Sequence, residues 1–346
     1  MAALQDGGVI FSKSVPAKLT TKRNLNMSSV VLENSVGLGG VNKAVGVALV
    51  QRLLKNYFAN LKKEADKKNY SSLNVNGKFS FFLVEAVKEF QSTVVGSKLP
   101  DGKIDANGTT FKKLIGIQTK APITIRDCIL GTDTATNTIN LSTLSTDHFK
   151  TYVKQYYGLT TTNGEDFNGF VDKLINDPDI SDVRWAAYML ATAYIETAFS
   201  FNPVSESGKG AGRDYAQEVE VTDTDGIRGK KDEKYKNVYY GRGYVQLTWD
   251  YNYKKVGTAI GQGTKLYVNP DLALDKEIAY KVASYGMRNG SFSGKKLDDY
   301  LNASKTDYLN ARSIINGTDR NKEIAEIAKR IELLLRLAMK PIADRG

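Results

Sequence analysis

The chain has 346 residues, 41% hydrophobic and 25% charged, which fits two globular domains, or one large domain with a smaller module, and excludes a disordered chain or a fibre. One cysteine, Cys128, and one histidine, His148, exclude an intramolecular disulfide framework and a cysteine- or histidine-ligated metal centre. No metal or cofactor is therefore expected, and any catalysis falls to carboxylates. The net charge of +10 is uneven: residues 1–145 hold 19 Lys/Arg against 10 Asp/Glu, and the remainder 29 against 28. That suggests an anionic partner for the first part, or only a solubilising face.

No run of 18 apolar residues occurs, so membrane insertion is not expected. The start, MAALQDGGVIFSKSVPAKLT, lacks the charged-then-apolar pattern of a secretory signal, so synthesis in the cytoplasm is expected. No nucleic-acid signature accompanies the basic residues. Their densest run, Lys62, Lys63, Lys67 and Lys68, is diluted by Glu64 and Asp66.

Residues 1–33 read as an N-terminal arm. From Asn42 to Phe58 the pattern is helical, with Val50, Leu53, Leu54, Tyr57 and Phe58 on one face. A second helix is expected over Phe82–Gln91, burying Phe82, Ala86, Val87 and Phe90. A third should start at a Thr109–Thr110 cap and bury Phe111, Leu114 and Ile115. Turns at Asn76-Gly77 and Pro100-Asp101-Gly102 separate them, giving a small three-helix module over 34–118. Residues 119–146 are rich in Thr, Asn and Ser and read as a linker, with one short strand around Ile123–Ile129. From 147 to 346 helices are expected at Phe149–Tyr157, Phe167–Ile175, Ser181–Ala198, Asp275–Asn289, Leu297–Asn302 and Arg320–Met339. Between them Asn202–Val238 shows no periodicity and reads as a long loop, functional or disordered. The fold class is mainly α.

Within the Ser181–Ala198 helix, Trp185, Met189 and Ala193 form an apolar face that Glu196 continues. A carboxylate there is partly desolvated, which favours its protonated, general-acid form. Glu206 follows ten residues later in a glycine-bearing loop. Two carboxylates flanking a cleft are what glycoside hydrolysis requires. From spacing alone, a surface glutamate and a solvated loop charge are the favoured reading, since such glutamate pairs are common. The block Tyr239–Trp249 adds Tyr240 and Trp249, whose faces can stack on sugar rings, and Gln246, Thr248 and, just beyond it, Asn252, which can bond hydroxyl and acetamido groups. Arg242 between two glycines could fix a carboxylate. A turn that packs these aromatics into the core is the competing reading.

The pattern A-Y-I-E-T (193–197), Glu206, Y-Y-G-R-G-Y-V-Q-L-T-W-D-Y-N-Y (239–253) and I-I-N-G-T-D (314–319) resembles glycoside hydrolase family 19, which contains chitinases and lysozyme-like endolysins. The resemblance covers roughly residues 180–335. It implies a mainly helical, lysozyme-like domain that hydrolyses β-1,4 bonds between N-acetylated sugars with inversion. By position Glu196 matches the family's general acid and Glu206 the second carboxylate of its shorter bacterial members. Thr248 matches the residue that helps hold the attacking water, Gln246 and Asn252 match cleft residues, and Asn316 matches an Asn at the far wall. Two departures stand out: Ile195 occupies the usual His position, and Glu218 lies 22 residues after Glu196, the spacing of the plant enzymes, with Glu220 beside it.

In the first part, S-V-G-L-G-G-V-N (35–42), L-N-V-N-G-K-F (73–79), A-V-K-E-F-Q (86–91) and D-G-K-I-D (101–105) resemble a three-helix peptidoglycan-binding module, departing at Phe79–Leu83. Together the two resemblances imply a cell-wall hydrolase, an endolysin or injected lytic effector, whose partner is peptidoglycan glycan strands and which acts in the wall or periplasm. The N-terminal part could instead dock a secretion or phage component. The alternatives are a chitinase of the same fold and a non-catalytic wall-binding or assembly protein.

Overall fold

The computed structural model describes residues 30–61, 69–117, 144–159 and 161–339. Most of the expected arm, most of the linker with Cys128 and the strand at Ile123–Ile129, and the cluster Lys62, Lys63, Lys67 and Lys68 lie outside the described residues. The contacts divide the chain into two units. One lies within residues 24–158 and takes the chain again from Glu332. The other lies within 159–331.

The first unit contains β1 (Val36–Gly37), α1 (Ala44–Ala59), α2 (Phe81–Phe90), β2 (Lys103–Ile104), α3 (Thr109–Gly116) and α4 (Thr146–Tyr157). Strands β1 and β2 pair antiparallel, Val36 opposite Ile104. The apolar faces of α1 and α2 are buried as their spacing requires, including Leu53, Leu54, Phe58, Val87 and Phe90. A buried glutamine holds each expected turn. The Gln51 Oε1 accepts from the N–H groups of Asn76 (3.1 Å) and Gly77 (3.0 Å), and its Nε2 donates to the Lys78 carbonyl (2.9 Å). Gln91 repeats the device, accepting from the Gly102 N–H at 2.9 Å and donating to the Asp101 carboxylate at 2.7 Å. The strings N-G-K-F and D-G-K-I are thus one structural unit used twice.

Three expectations change in this unit. Phe82 is not on the inner side of α2: it is 42% exposed, and Phe81 is 73% exposed. Ser80 is the α2 cap, accepting from the Leu83 N–H, and this sets the helix phase so that Leu83 and Val84 face inward. Helix α3 starts one residue early, with Gly108 as N-cap and no side-chain cap from the threonines. Helix α4, expected in the second domain, groups with the first unit. Its Tyr152 hydroxyl donates to the Asn76 carbonyl (2.9 Å), and the Tyr156 hydroxyl accepts from the Val45 N–H (3.1 Å).

The second unit contains α5 (Thr161–Ile175), α6 (Val183–Glu196), β3 (Val204–Ser205), β4 (Glu218–Asp223), β5 (Glu233–Val238), β6 (Arg242–Gly243), α7 (Asp250–Ala259), α8 (Lys265–Val268), α9 (Lys276–Asn289), β7 (Leu301–Asn302), β8 (Lys305–Thr306) and most of α10 (Asn321–Ala338). It is mainly α-helical. Helix α6 is its spine: every residue from Ala186 to Ile195 is buried, so the helix is covered all round rather than on one face. Asp275 caps α9 by accepting from the Glu277 and Ile278 N–H groups. Helix α10 buries Ile324, Ala328, Ile331, Leu334 and Leu335 as its stripe requires.

Two elements differ from expectation. Asn202–Val238 is not an unstructured loop: β3 pairs with β6, and β4 and β5 form a six-residue antiparallel hairpin. The alternation in E-V-E-V-T-D buries Val221 and Asp223 on one side, a period of two that the surrounding glycines and charges obscure. The expected helix Leu297–Asn302 is a single 3₁₀ turn, Leu297–Asp299, followed by the β7–β8 ribbon. Its six residues are too few to sustain an α-helix on their own.

Candidate active site

Glu196 ends α6. The Asp182 carboxylate caps the helix start, accepting from the Arg184 N–H at 2.8 Å. At the other end the Thr197 hydroxyl donates to the Ala193 carbonyl (2.7 Å) and accepts from the Phe201 N–H (2.9 Å). This turn holds three non-glycine residues, Ala198, Phe199 and Phe201, at φ of 49°, 71° and 56°. Such left-handed backbone is costly and persists only where the surroundings fix it, a pattern that clusters at active sites. The Glu196 side chain is only 8% exposed and accepts from the Arg312 Nη1 at 2.5 Å. Arg312 is itself 3% exposed, and its Nε donates to the Asp319 carbonyl at 2.9 Å. The apolar surroundings expected for Glu196 are therefore broken by one buried cation, 116 residues away in sequence.

Glu206 follows β3, where Ser205 lies opposite Arg242. Its own N–H donates to the Gly241 carbonyl (2.7 Å), and its carboxylate accepts from the Gly241 N–H (3.0 Å) and the Tyr215 hydroxyl (2.6 Å). Glu206 is 8% exposed. Burial, and then the bond to Glu206, push the Tyr215 phenol well above its ordinary range, so it remains a donor at working pH. Position 241 is tight: a Cβ there would lie 2.8 Å from the Gln246 Oε1 and 3.3 Å from the Glu206 Cβ, so a larger residue would displace the Gln246 side chain and press on Glu206.

Arg242 does meet a carboxylate, but that of Asp271 (2.9 Å), not either candidate acid. It lies 3.5 Å over the Tyr240 ring centre and donates to the Val238 and Tyr240 carbonyls and the Tyr253 hydroxyl. Arg242 is a buried clamp on the loop, and it covers one face of Tyr240, which is 7% exposed. The core-packing reading fits these two residues better than sugar contact. Gln246, at φ 54°, donates to the Val204 and Gly243 carbonyls, while its buried Oε1 has no partner. The Asn252 amide donates to the Thr248 carbonyl at 3.1 Å, tying together two residues expected in the cleft. Trp249 meets Tyr215 edge-on (5.8 Å) and stacks on Tyr251 (5.7 Å), which is 57% exposed. This aromatic row runs from the partner of Glu206 to solvent. Asn316 is half-buried on the turn that carries Arg312, its N–H donating to the Arg312 carbonyl at 2.9 Å.

Glu218 and Glu220 lie on β4 and are exposed, paired to Lys236 (3.2 Å) and Lys234 (2.7 Å) of β5. They form cross-strand surface pairs, whereas Glu206 is buried and held. Two residues were not anticipated from sequence. Arg312 precedes the recognisable I-I-N-G-T-D string by two positions, and Tyr215 sits in a glycine-rich stretch with no spacing signal. Among the described residues no group of three or more His, Cys, Asp or Glu is arranged to hold a metal.

The profile of glycoside hydrolase family 19, described as chitinase class I, matches residues 144–290. The chain is similar to the inactive chitinase-like protein 1 of Hevea brasiliensis (52% identical over 64 residues, 18% of this chain and 20% of that protein). It is also similar to the acidic endochitinase Q of Nicotiana tabacum (59% over 46 residues, 13% and 17%). The matched stretch thus spans a fifth or less of these relatives' length. Among solved structures, chitinase C from Streptomyces griseus aligns over 57% of this chain and 79% of its own at 20% identity and a TM-score of 0.39. A bacterial family 19 chitinase aligns over 57% and 98% at 21% identity and the same TM-score.

Proposed function

We propose that the second unit hydrolyses β-1,4 bonds between N-acetylated sugars, with Glu196 as general acid and Glu206 as general base. The observation that carries this reading is the contrast among the glutamates. Two are buried and fixed by donors from distant segments, Glu196 by Arg312 and Glu206 by Tyr215 and the Gly241 N–H. The rival bases Glu218 and Glu220 are exposed and occupied by lysines.

In the proposed reaction Glu196, ion-paired to Arg312 in the resting site, first takes up a proton from solvent and then gives it to the glycosidic oxygen as the bond to the anomeric carbon breaks. Glu206 takes a proton from a water that attacks the same carbon from the opposite face, with Thr248 helping to hold that water. A β bond thereby yields an α product. Arg312 neutralises the carboxylate left on Glu196 after proton delivery. Preorganised charge of this kind lowers the barrier without reorganisation during the step.

The relatives' names favour chitin as the polymer; peptidoglycan contains the same type of bond. Wall binding by residues 34–118 rests on the quoted strings alone; the paired Gln51 and Gln91 turns account for the local fold. The hydrolase reading is tested with Glu196→Gln, which removes the titratable acid at nearly constant shape. Cleavage of an N-acetylglucosamine hexamer should fall by roughly 10²–10⁴-fold with circular dichroism unchanged. Wild-type rates in a folded Glu196→Gln protein would remove the assignment.

A further inference from the structure

Close in sequence to Glu206, though not lined by it, the second unit contains a cavity of about 420 Å³. One wall is the run 208–213, which leaves the chain two residues after Glu206. Another carries Tyr240 and Arg242, on either side of the Gly241 whose N–H holds the Glu206 carboxylate. The run lies directly on the aromatic support of the site. A Cβ at Gly210, whose φ is +73°, would be 2.8 Å from the Tyr215 ring and 3.2 Å from the Tyr240 Cβ.

The lining is strongly one-signed. Lys209, Arg213, Arg228, Lys236 and Arg242 face a single lining carboxylate, Asp271, which Arg242 already engages. Arg228 stacks 4.2 Å over Tyr235 and donates to the Asn237 side-chain oxygen, so its guanidinium is fixed at the rim. Lys236 shares the exposed Glu218 at 3.2 Å, a pair that water and salt screen. A neutral polysaccharide offers these cations hydrogen-bond acceptors but no opposite charge. A glycan with carboxylate substituents would neutralise them, and arginine forks are suited to planar carboxylates.

We propose that this cavity accepts an acidic substituent of the glycan whose scissile bond lies at Glu206. The preferred substrate would then be an N-acetylated β-1,4 glycan carrying carboxylates, a class that includes peptidoglycan strands whose lactyl groups are free of peptide and excludes chitin. This rests on the hydrolase reading above and specifies its substrate.

The test compares two soluble oligomers of equal length: a neutral β-1,4 N-acetylglucosamine hexamer and a hexamer in which alternate sugars carry a 3-O-lactyl carboxylate. Binding is measured by calorimetry on full-length Glu196→Gln protein, and cleavage on wild type. The acidic hexamer should bind about tenfold more tightly at low salt, as three partly exposed charge contacts of two- to threefold each would give. The preference should fade as ionic strength rises. The triple variant Lys209→Gln/Arg228→Gln/Lys236→Gln should lose it while cleaving the neutral hexamer as before. Equal binding of both hexamers, or an equal loss of both in the triple variant, overturns the cavity assignment and leaves the hydrolase standing. Salt-sensitive preference for the acidic hexamer without cleavage of either supports the cavity and overturns the hydrolase reading. Binding of neither overturns both.

Discussion

Replacing Arg312 with alanine should destabilise the second unit far more than an ordinary surface change. The guanidinium is 3% exposed and is paired to a Glu196 side chain that is 8% exposed. Its removal leaves a nearly dry carboxylate without its cation and the Asp319 carbonyl without a donor. Breaking a buried pair from one side costs about 3–5 kcal/mol. The Asp319 carboxylate, 4.0 Å away and 40% exposed, adds under about 1 kcal/mol. For a unit of this size each kcal/mol moves the melting temperature by about 2–4 °C, so Arg312→Ala should melt roughly 6–20 °C lower at neutral pH. Both tryptophans, Trp185 and Trp249, lie in this unit, so intrinsic fluorescence reports its unfolding. Glu196→Gln in the same background should recover part of the loss, with a coupling of about 2 kcal/mol or more between the two positions. Strict additivity of the two single changes would refute the pairing and the role given to Arg312.

Tyr215→Phe deletes one of the two donors on the Glu206 carboxylate while keeping the ring against Trp249. A hydrogen bond to a charged group is worth about 1.5–3 kcal/mol of stability, so melting should fall by roughly 3–12 °C, and kcat should fall as well because the base loses a fixed orientation; an unchanged kcat in the folded variant would show that Glu206 needs no such support. Asp223, buried at the end of β4, accepts from the Ile227 and Arg228 N–H groups. Burial alone would lift its pKa, but the backbone donors outweigh it and hold the carboxyl below its ordinary 3.8. Its stabilisation is therefore full above that value and lost as pH falls through the depressed one. The melting gap between wild type and Asp223→Asn should be constant from pH 7 to about 5 and shrink below about 4. A gap independent of pH would contradict this.

Where apolar residues recur with helical spacing, as in α1 and α10, burial follows most of the sequence pattern, with Tyr57 and Ile327 only half-buried. Helix α6 was recognisable as a helix but not as one covered on every side, because its alanines carry no facial signal. The β4–β5 hairpin was obscured because its period of two runs through charged residues, with only Val219 and Val221 marking the inner edge. Glu196, Glu206 and the Tyr239–Trp249 block stood out through their motif. Their partners did not. Arg312 meets Glu196 across 116 residues and Asp271 meets Arg242 across 29, and no local periodicity records such pairings. Arg242 and Tyr240 show the converse: conspicuous in sequence, they hold the loop that holds Glu206.

The most direct measurement is the anomeric form of the first product. Full-length protein is mixed with a β-1,4 N-acetylglucosamine hexamer in an NMR tube, and the anomeric protons are followed before mutarotation equilibrates them. Direct displacement by water held at Glu206, with Glu196 protonating the leaving oxygen, predicts that the new reducing ends appear as the α anomer. Initial release of the β anomer, or an α product formed equally fast by Glu206→Gln, would contradict the assignment of Glu206 as the base.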